Sequence, residues 1–485
     1  MRKNTKSLKI NALLNGIKQC CAILFPLITF PYISQVLGSE GYGKYSFAYS
    51  ISSYFLLIAA FGISTYGIRE GAKIRDDKEK ITHFVSQLFS INILTVIISY
   101  IILFVVFAFS TKIRSYAPLI LVQSLAMILA AVGTDWVNNI YEDFLYITLR
   151  YIFLQILSLV LMFLFVRTSK DVMIYCAISV LASSGGNLIN IIYVRRCVKI
   201  SFTLDLDLKK HLVPLAILFV NSLAISIYVS SDITILGFFY NDETVGIYSF
   251  ASKIYSILKQ LINAVIIVSV PRIAYVVKNR KEEYKEYVNK IFGGLILVLV
   301  PISAGVSGMS DTIISIAGGN SYISGSSSLK ILSIALIFAI CSSLFTNCVL
   351  IVHNQEKKCL MATCISALSN IILNIIILPF TGIVGAAITT VIAEFVNFII
   401  QVYYSKDYLK WKELYKKPVY TCLIGGILIL IICKFVNMWL LNKYGKMIIA
   451  IFVSAFMYIL ILFLFRHPIA IDFLAKFNNH RNKNA

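Results

Sequence analysis

Apolar runs of twenty or more residues recur along the whole chain. As helices, each can cross the roughly 30 Å hydrocarbon core of a bilayer. Fourteen occur, at about 10–37, 43–66, 83–109, 117–140, 146–166, 172–194, 212–236, 247–270, 288–312, 329–352, 360–379, 384–404, 419–441 and 447–466. Inside lipid every backbone donor and acceptor must be satisfied internally, which leaves helices or a closed barrel. The ten-residue alternating segments of a barrel do not occur in the sequence. The expectation is an all-α polytopic membrane protein with about 14 transmembrane helices. Composition agrees: of 485 residues, 59% are hydrophobic and 14% charged, with mean hydropathy +0.83. A soluble chain carries about a quarter charged residues.

The net charge of +21 raises the question of nucleic acid, and its placement answers it. With the N-terminus inside, 32 of the 44 Lys and Arg fall on that side, eight on the other and four within the spans. This is the positive-inside pattern, and it predicts cytoplasmic N- and C-termini and no nucleic-acid partner. The start, with Arg2, Lys3, Lys6 and Lys9, reads as a retained helix and not a signal peptide. Its apolar stretch is too long, it holds Asn15, Lys18 and Gln19, and no small-residue cleavage site follows. No cysteine falls in an outer loop, so no disulfide framework is expected. His83, His211, His353, His467 and His480 show no metal-ligand spacing. The longest outer loop, about 311–328, leaves no room for a catalytic domain, and no catalytic residues are expected. The charged loops 67–82, 195–211, 271–287 and 405–418 read as headgroup-lying segments or plain topogenic connectors.

GKYSFA at Gly43–Ala48 returns as GIYSFA at Gly246–Ala251, 203 positions later. Each copy follows a Leu-Gly pair, Leu37-Gly38 and Leu236-Gly237, and opens an apolar run. The offset covers six segments, an even number, so both copies share one orientation. That predicts two parallel six-helix lobes around a central cavity. The expected division is 1–194 for the N-lobe, 195–211 for a cytoplasmic linker, 212–404 for the C-lobe, and 405–485 for two further helices and a tail. Asn190-Ile191-Ile192 and Asn397-Phe398-Ile399 form a fainter echo. Gly43 and Gly246 fit a tight hairpin and close helix approach. Pro26 and Pro31 in the first segment, and Pro301 in the ninth, should kink their helices, as static bends or as gating hinges.

Charges within the spans carry the functional signal. A Lys or Asp at the bilayer centre costs about 2.5–3.5 kcal/mol, so it faces a partner or a wet cavity. Lys18, Lys253 and Lys259 are candidates for a cationic cavity; Lys434, and equally Lys253, could instead snorkel to an interface. Asp232 could pair with Lys253 or serve coupling. Glu394 matches Asn187 in the repeat, so this acid belongs to one lobe; it reads as a coupling site or an interhelical bond. A cationic cavity favours an anionic substrate such as a pyrophosphate. Moving two negative charges outward through an inside-negative potential gains about 4–5 kcal/mol per 100 mV.

Several stretches go beyond composition. PLITFPYISQVLGSEGYGKYSFA (Pro26–Ala48), YGIREGAKIRDD (Tyr66–Asp77), DWVNNIYEDFLYITLR (Asp135–Arg150) and SDITILGFFYNDETVGIYSFASKI (Ser231–Ile254) resemble the heteropolysaccharide repeat-unit flippases of Wzx type. These belong to the multidrug/oligosaccharidyl-lipid/polysaccharide (MOP) exporter superfamily. The likeness covers nearly the whole chain, with one departure: the family's glycine five residues after the Asp is Ile140 here. It implies movement of undecaprenyl-pyrophosphate-linked oligosaccharide to the outer leaflet of the bacterial plasma membrane by alternating access. The product would be O-antigen, capsule or exopolysaccharide. No cofactor is implied, only a proton or sodium gradient and the membrane potential. Implied partners are the lipid-linked oligosaccharide, membrane lipids, and the polymerase and chain-length machinery. By the same resemblance, Lys18, Lys253 and Lys259 would contact pyrophosphate or nearby sugars. Arg69, Arg75, Asp135, Glu142 and Arg150 would line the inner mouth or form a salt-bridge cluster holding it.

Two rivals share the fold: a drug/cation antiporter, which needs acids in the cavity, and a flippase for peptidoglycan lipid II. A membrane glycosyltransferase or polymerase would need a large outer loop or clustered catalytic acids. No enzyme is expected.

Overall fold

The computed structural model describes residues 8–409, 416–465 and 467. The expected N-terminal tail before Leu8 and C-terminal tail after His467 lie outside the described residues, as do 410–415 of the loop 405–418. The chain forms two compact units, Met1–Gly246 and Ile247–Ala485.

The first unit opens with α1 (Leu8–Ala60), which contains Pro26 and Pro31 and is interrupted at Gly38 by a non-helical turn of φ 66° and ψ 177°. Only glycine takes such a conformation at little cost. The runs expected at 10–37 and 43–66 are therefore two arms of one bent rod. There follow α2 (Ile63–Ile74) and α3 (Lys78–Phe109), whose Asp77 cap accepts from the Lys80 backbone N–H at 3.1 Å. Next come the turn α4 (Thr111–Arg114), α5 (Ala117–Gly133), the short α6 (Trp136–Ile140), α7 (Phe144–Phe165), α8 (Val172–Ser184), α9 (Gly186–Val194) and α10 (Leu208–Phe239). The first turn of α11 (Asp242–Asn279) completes the unit.

The second unit holds the rest of α11, then α12 (Lys281–Gly308), α13 (Ser310–Ala317) and α14 (Ser326–Leu344). A π turn at Phe345–Leu350 leads to α15 (Glu356–Ser405), which breaks at Gly382 with φ 59°. The unit ends with α16 (Lys416–Met438) and α17 (Lys443–Leu464).

Among the described residues, eleven helical stretches are long and apolar enough to cross a membrane. Two of them contain two arms, divided at Gly38 and Gly382, and Ala117–Gly133 is a shorter apolar helix. That inventory is consistent with about fourteen crossings. Helix α17 shows the membrane pattern in side chains. Ile448, Phe452, Phe456 and Leu464 are exposed, whereas Ala450, Ser454, Tyr458 and Leu462 are buried. The exposed set is wholly large and apolar, whereas the buried set includes the small or polar Ala450, Ser454 and Tyr458, as expected where the surroundings are lipid. Tyr458 packs over Gly425 of α16, and its hydroxyl donates to the Leu297 carbonyl of α12 at 2.9 Å.

The runs 117–140 and 172–194 are each broken once. The first stops at Gly133 because the Asn190 amide donates to the Gly133 carbonyl at 2.6 Å, and Thr134 then turns left-handed at φ 44°. The second changes helix at Gly185-Gly186.

The repeated hexapeptide finds its explanation inside the first unit. A Cβ on Gly43 would stand 1.7 Å from the Asp242 carbonyl oxygen and 2.9 Å from the Gly246 nitrogen. A Cβ on Gly246 would stand 1.8 Å from the Ser39 carbonyl oxygen and 3.0 Å from the Gly43 nitrogen. Ser39 and Asp242 each lie four residues before their glycine. Equivalent helical turns of the repeat thus cross backbone to backbone, and any side chain would separate them. The Leu-Gly pairs play unequal parts: Gly38 makes the bend, whereas Gly237 lies flush against the Phe47 ring.

Candidate functional site

The motifs Tyr66–Asp77 and Asp135–Arg150 interlock. Gly67 and Gly71, one turn apart on α2, receive Trp136 and Ile140, one turn apart on α6. A Cβ on Gly67 would be 2.6 Å from the Trp136 ring, and one on Gly71 would be 2.3 Å from Ile140 Cδ1. Ile140, the departure from the family pattern, therefore fills the hole that Gly71 leaves. Beneath it, Ile81, Phe84, Val85, Val137 and Leu215 form one apolar core. His211 is wholly buried there. The Gln87 amide nitrogen donates to the Asp205 carbonyl at 2.9 Å, so its oxygen faces His211 Nε2 at 3.1 Å. Nε2 then carries the proton, and Nδ1 accepts from the Tyr66 hydroxyl at 2.9 Å. This network ties α2, α3 and α10 together.

The five inner-mouth candidates divide into two pairs and a bystander. Arg75 Nη1 donates to Glu142 Oε1 at 2.8 Å and to the Ile140 carbonyl at 3.1 Å. The Glu142 carboxylate raises the Arg75 pKa above its ordinary value. Arg150 donates to Asp135 and lies 5.1 Å over the Tyr146 ring. Tyr146 in turn stacks on Tyr193 with centroids 3.6 Å apart, and Tyr193 donates to Asp143. Gly186 lies against Arg150: a Cβ there would be 3.0 Å from Nε. Asn138 donates to Asn190 at 2.6 Å. Arg69 stands apart, bonded to the adjacent Glu70 at 2.9 Å. Tyr146, Tyr193 and Asn138 were not expected from sequence. Asn190 was singled out only as an echo of Asn397; it holds the end of α5, a role that the echo did not reveal.

The candidates within the spans are distributed over both units. In the first, Lys18 is half-buried with its ammonium 5.7 Å over the Tyr151 ring, and Asp232 is buried in α10. In the second, Lys253 is half-buried on α11 and Lys434 is exposed on α16. Lys259 and Glu394, read separately from sequence, meet there. Lys259 Nζ donates to Glu394 Oε1 at 2.6 Å, and the Tyr255 hydroxyl donates to the same oxygen at 2.8 Å. The lysine also lies 5.6 Å over the Tyr255 ring. The Glu394 side chain is 3% exposed and that of Lys259 33%. The carboxylate is enclosed, and the lysine that neutralises it is partly exposed.

The second unit also carries an apolar groove of about 560 Å³. It runs between α12, α16 and α17, past Pro301, Gly305, Met309, Cys433, Ser454 and Tyr458.

The family model for polysaccharide biosynthesis protein matches residues 8–277, more than half of the chain. The chain belongs to the polysaccharide biosynthesis protein family. This polysaccharide biosynthesis protein is 24% identical over 410 residues to a protein named for O-antigen transport in Escherichia coli (strain K12), covering 81% of this chain and 95% of that one. It is 25% identical over 248 residues to a protein of Haloferax volcanii named for a flippase role in low-salt glycan biosynthesis, about half of each chain. Its fold resembles lipid II flippase MurJ in an inward closed conformation, with TM-score 0.68 at 18% identity over 92% of this chain and 100% of that one. An inward-facing multidrug MATE transporter of the MOP superfamily follows at TM-score 0.58 and 17% identity, over 79% of this chain and 93% of that one. The polysaccharide biosynthesis protein is thus a multi-pass membrane protein that shares its fold with MurJ and the MATE transporter.

Proposed function

We propose that this protein carries undecaprenyl-pyrophosphate-linked oligosaccharide repeat units from the cytoplasmic to the outer leaflet of a bacterial plasma membrane, by alternating access. The observation that carries this reading is Lys259, a partly exposed lysine held within its span by an enclosed Glu394. Glu394 and the Tyr255 ring fix its position and leave a third of its side chain exposed. An arriving pyrophosphate competes with Glu394 for the lysine, and the membrane potential favours its outward passage. Lys18 and Lys253 supply further positive charge along the route. Glu394 and Asp232 are the candidates for coupling transport to a proton or sodium gradient. The tails lie in the cytoplasm by the positive-inside pattern, and the polymerase and chain-length machinery receive the product.

The test is made in cells lacking the protein. An impermeant sugar-binding probe is applied to spheroplasts and then to opened membranes. The expected result is lipid-linked oligosaccharide visible only after opening, reversed by the wild-type gene and not by Lys259→Ala. No accumulation in either leaflet, while the polymer is being made, overturns the proposal and favours a drug exporter. Reversal by both genes keeps the flippase and removes Lys259 from the route.

A further inference from the structure

The elbow joining α11 to α12 holds a set of basic and aromatic groups that transport as described above does not use. A cavity of about 360 Å³ opens there, lined by Arg272, Tyr275, Val276, Arg280, Glu283 and Tyr287. Its floor is fixed: Ile273, Val276 and Tyr284 are buried, and the Tyr284 hydroxyl donates to the Cys348 carbonyl at 3.2 Å. Its rim is open. Arg272 Nη2 donates to the Tyr287 hydroxyl at 2.5 Å, and the guanidinium lies 5.3 Å over that ring. The hydrogen-bond partner of Arg272 is thus a neutral phenol, which orients the guanidinium, and Glu283 acts on that charge only through space. Arg280 reaches Glu283 only at 3.3 and 3.4 Å, with both side chains largely exposed. Such a surface pair is weak and easily exchanged.

The approach to this cavity is apolar. On α11, Leu261, Val265 and Val268 are exposed at spacings of four and three, and Arg272 and Tyr275 continue the same face. A stripe of hydrocarbon-facing side chains therefore ends at an arginine and a tyrosine. That is the order of groups along a membrane lipid, chain first and phosphate last, with the tyrosine at headgroup level. The rim carries two arginines and one glutamate, a net charge of one. This matches the single negative charge of a phosphodiester better than the larger charge of a pyrophosphate.

We propose that the elbow binds the phosphodiester headgroup of an anionic glycerophospholipid between Arg272 and Arg280, with an acyl chain along Leu261, Val265 and Val268. Arginine forks suit phosphate oxygens, and each basic group near a membrane surface contributes several-fold to such binding. The site is separate from Lys259 and stands whether or not the transported substrate is the one proposed above.

The test is native mass spectrometry of the full-length protein released from micelles containing phosphatidylglycerol. The wild type should retain the lipid, and Arg272→Gln with Arg280→Gln should retain it roughly tenfold to thirtyfold less. Both arginines are exposed, so the variant should fold, which its thermal melt checks. Glu283→Gln should move retention the other way. Equal retention by wild type and double variant overturns the site. Displacement by millimolar inorganic phosphate makes it a free-anion site and overturns the lipid assignment. Displacement by undecaprenyl pyrophosphate at equal concentration does so too, in favour of the carrier lipid.

Discussion

Arg150–Asp135 and Lys259–Glu394 join the same kinds of group and bury opposite partners. In the first pair the cation is 8% exposed and the acid 38%; in the second the acid is 3% exposed and the cation 33%. Arg150 is enclosed by Tyr146 and Gly186 and tied to Asp135, so its charge serves the packing of α7 against its neighbours. Lys259 is tied to Glu394 and keeps a third of its side chain exposed. Burial of a charge is costly unless partners replace water, and each pair meets that cost differently. One buries its cation as a structural post. The other buries its anion and leaves its cation partly exposed. The sign of the buried partner therefore separates a clamp from a candidate site, although both look alike as charges in an apolar sequence.

The contrast can be broken most strongly at the clamp. Asp135→Ala should strand the enclosed Arg150 and cost roughly 3–5 kcal/mol of stability, as for other broken buried pairs. Arg150→Lys should also destabilise, because an ammonium lacks the flat fork that lies on Tyr146. Thermal unfolding of the purified protein reads both, and an unchanged melt would remove the structural role.

A comparable stability effect, joined to a functional one, is expected at the second pair. Lys259→Ala leaves the Glu394 carboxylate enclosed with only Tyr255 and should lower stability by roughly 3–5 kcal/mol. Adding Glu394→Gln should restore most of that stability and none of the transport. If the double variant transports, the lysine is structural and the contrast between the two pairs fails. The smallest effect belongs to Arg75–Glu142, where both side chains are more than a third exposed. Arg75→Gln should change stability by less than about 1 kcal/mol. A larger change in the melt would show that the bond to the Ile140 carbonyl matters more than the ion pair.

Much of this was legible in the residues. Apolar run length sets the solvent, Lys and Arg placement suggests sidedness, and the repeat marks where equivalent backbones cross. The motifs around Tyr66 and Asp135 identify the family. What those motifs do was less legible. Gly67 and Gly71 reveal their purpose only against Trp136 and Ile140, about seventy positions away. Likewise, Tyr146 and Tyr193 are ordinary aromatics in apolar runs until they stack.

The sequence by itself determined that the chain spans a membrane as helices and belongs to the polysaccharide biosynthesis protein family. Those conclusions rest on local quantities: run length, charge placement and short motifs. The tertiary structure alone decided that Lys259 and Glu394, 135 positions apart, form one pair, and which partner is enclosed. Pairing across helices depends on rotation about each helix axis and on bends such as Gly38 and Gly382. Packing sets these, and no span carries them in its own composition.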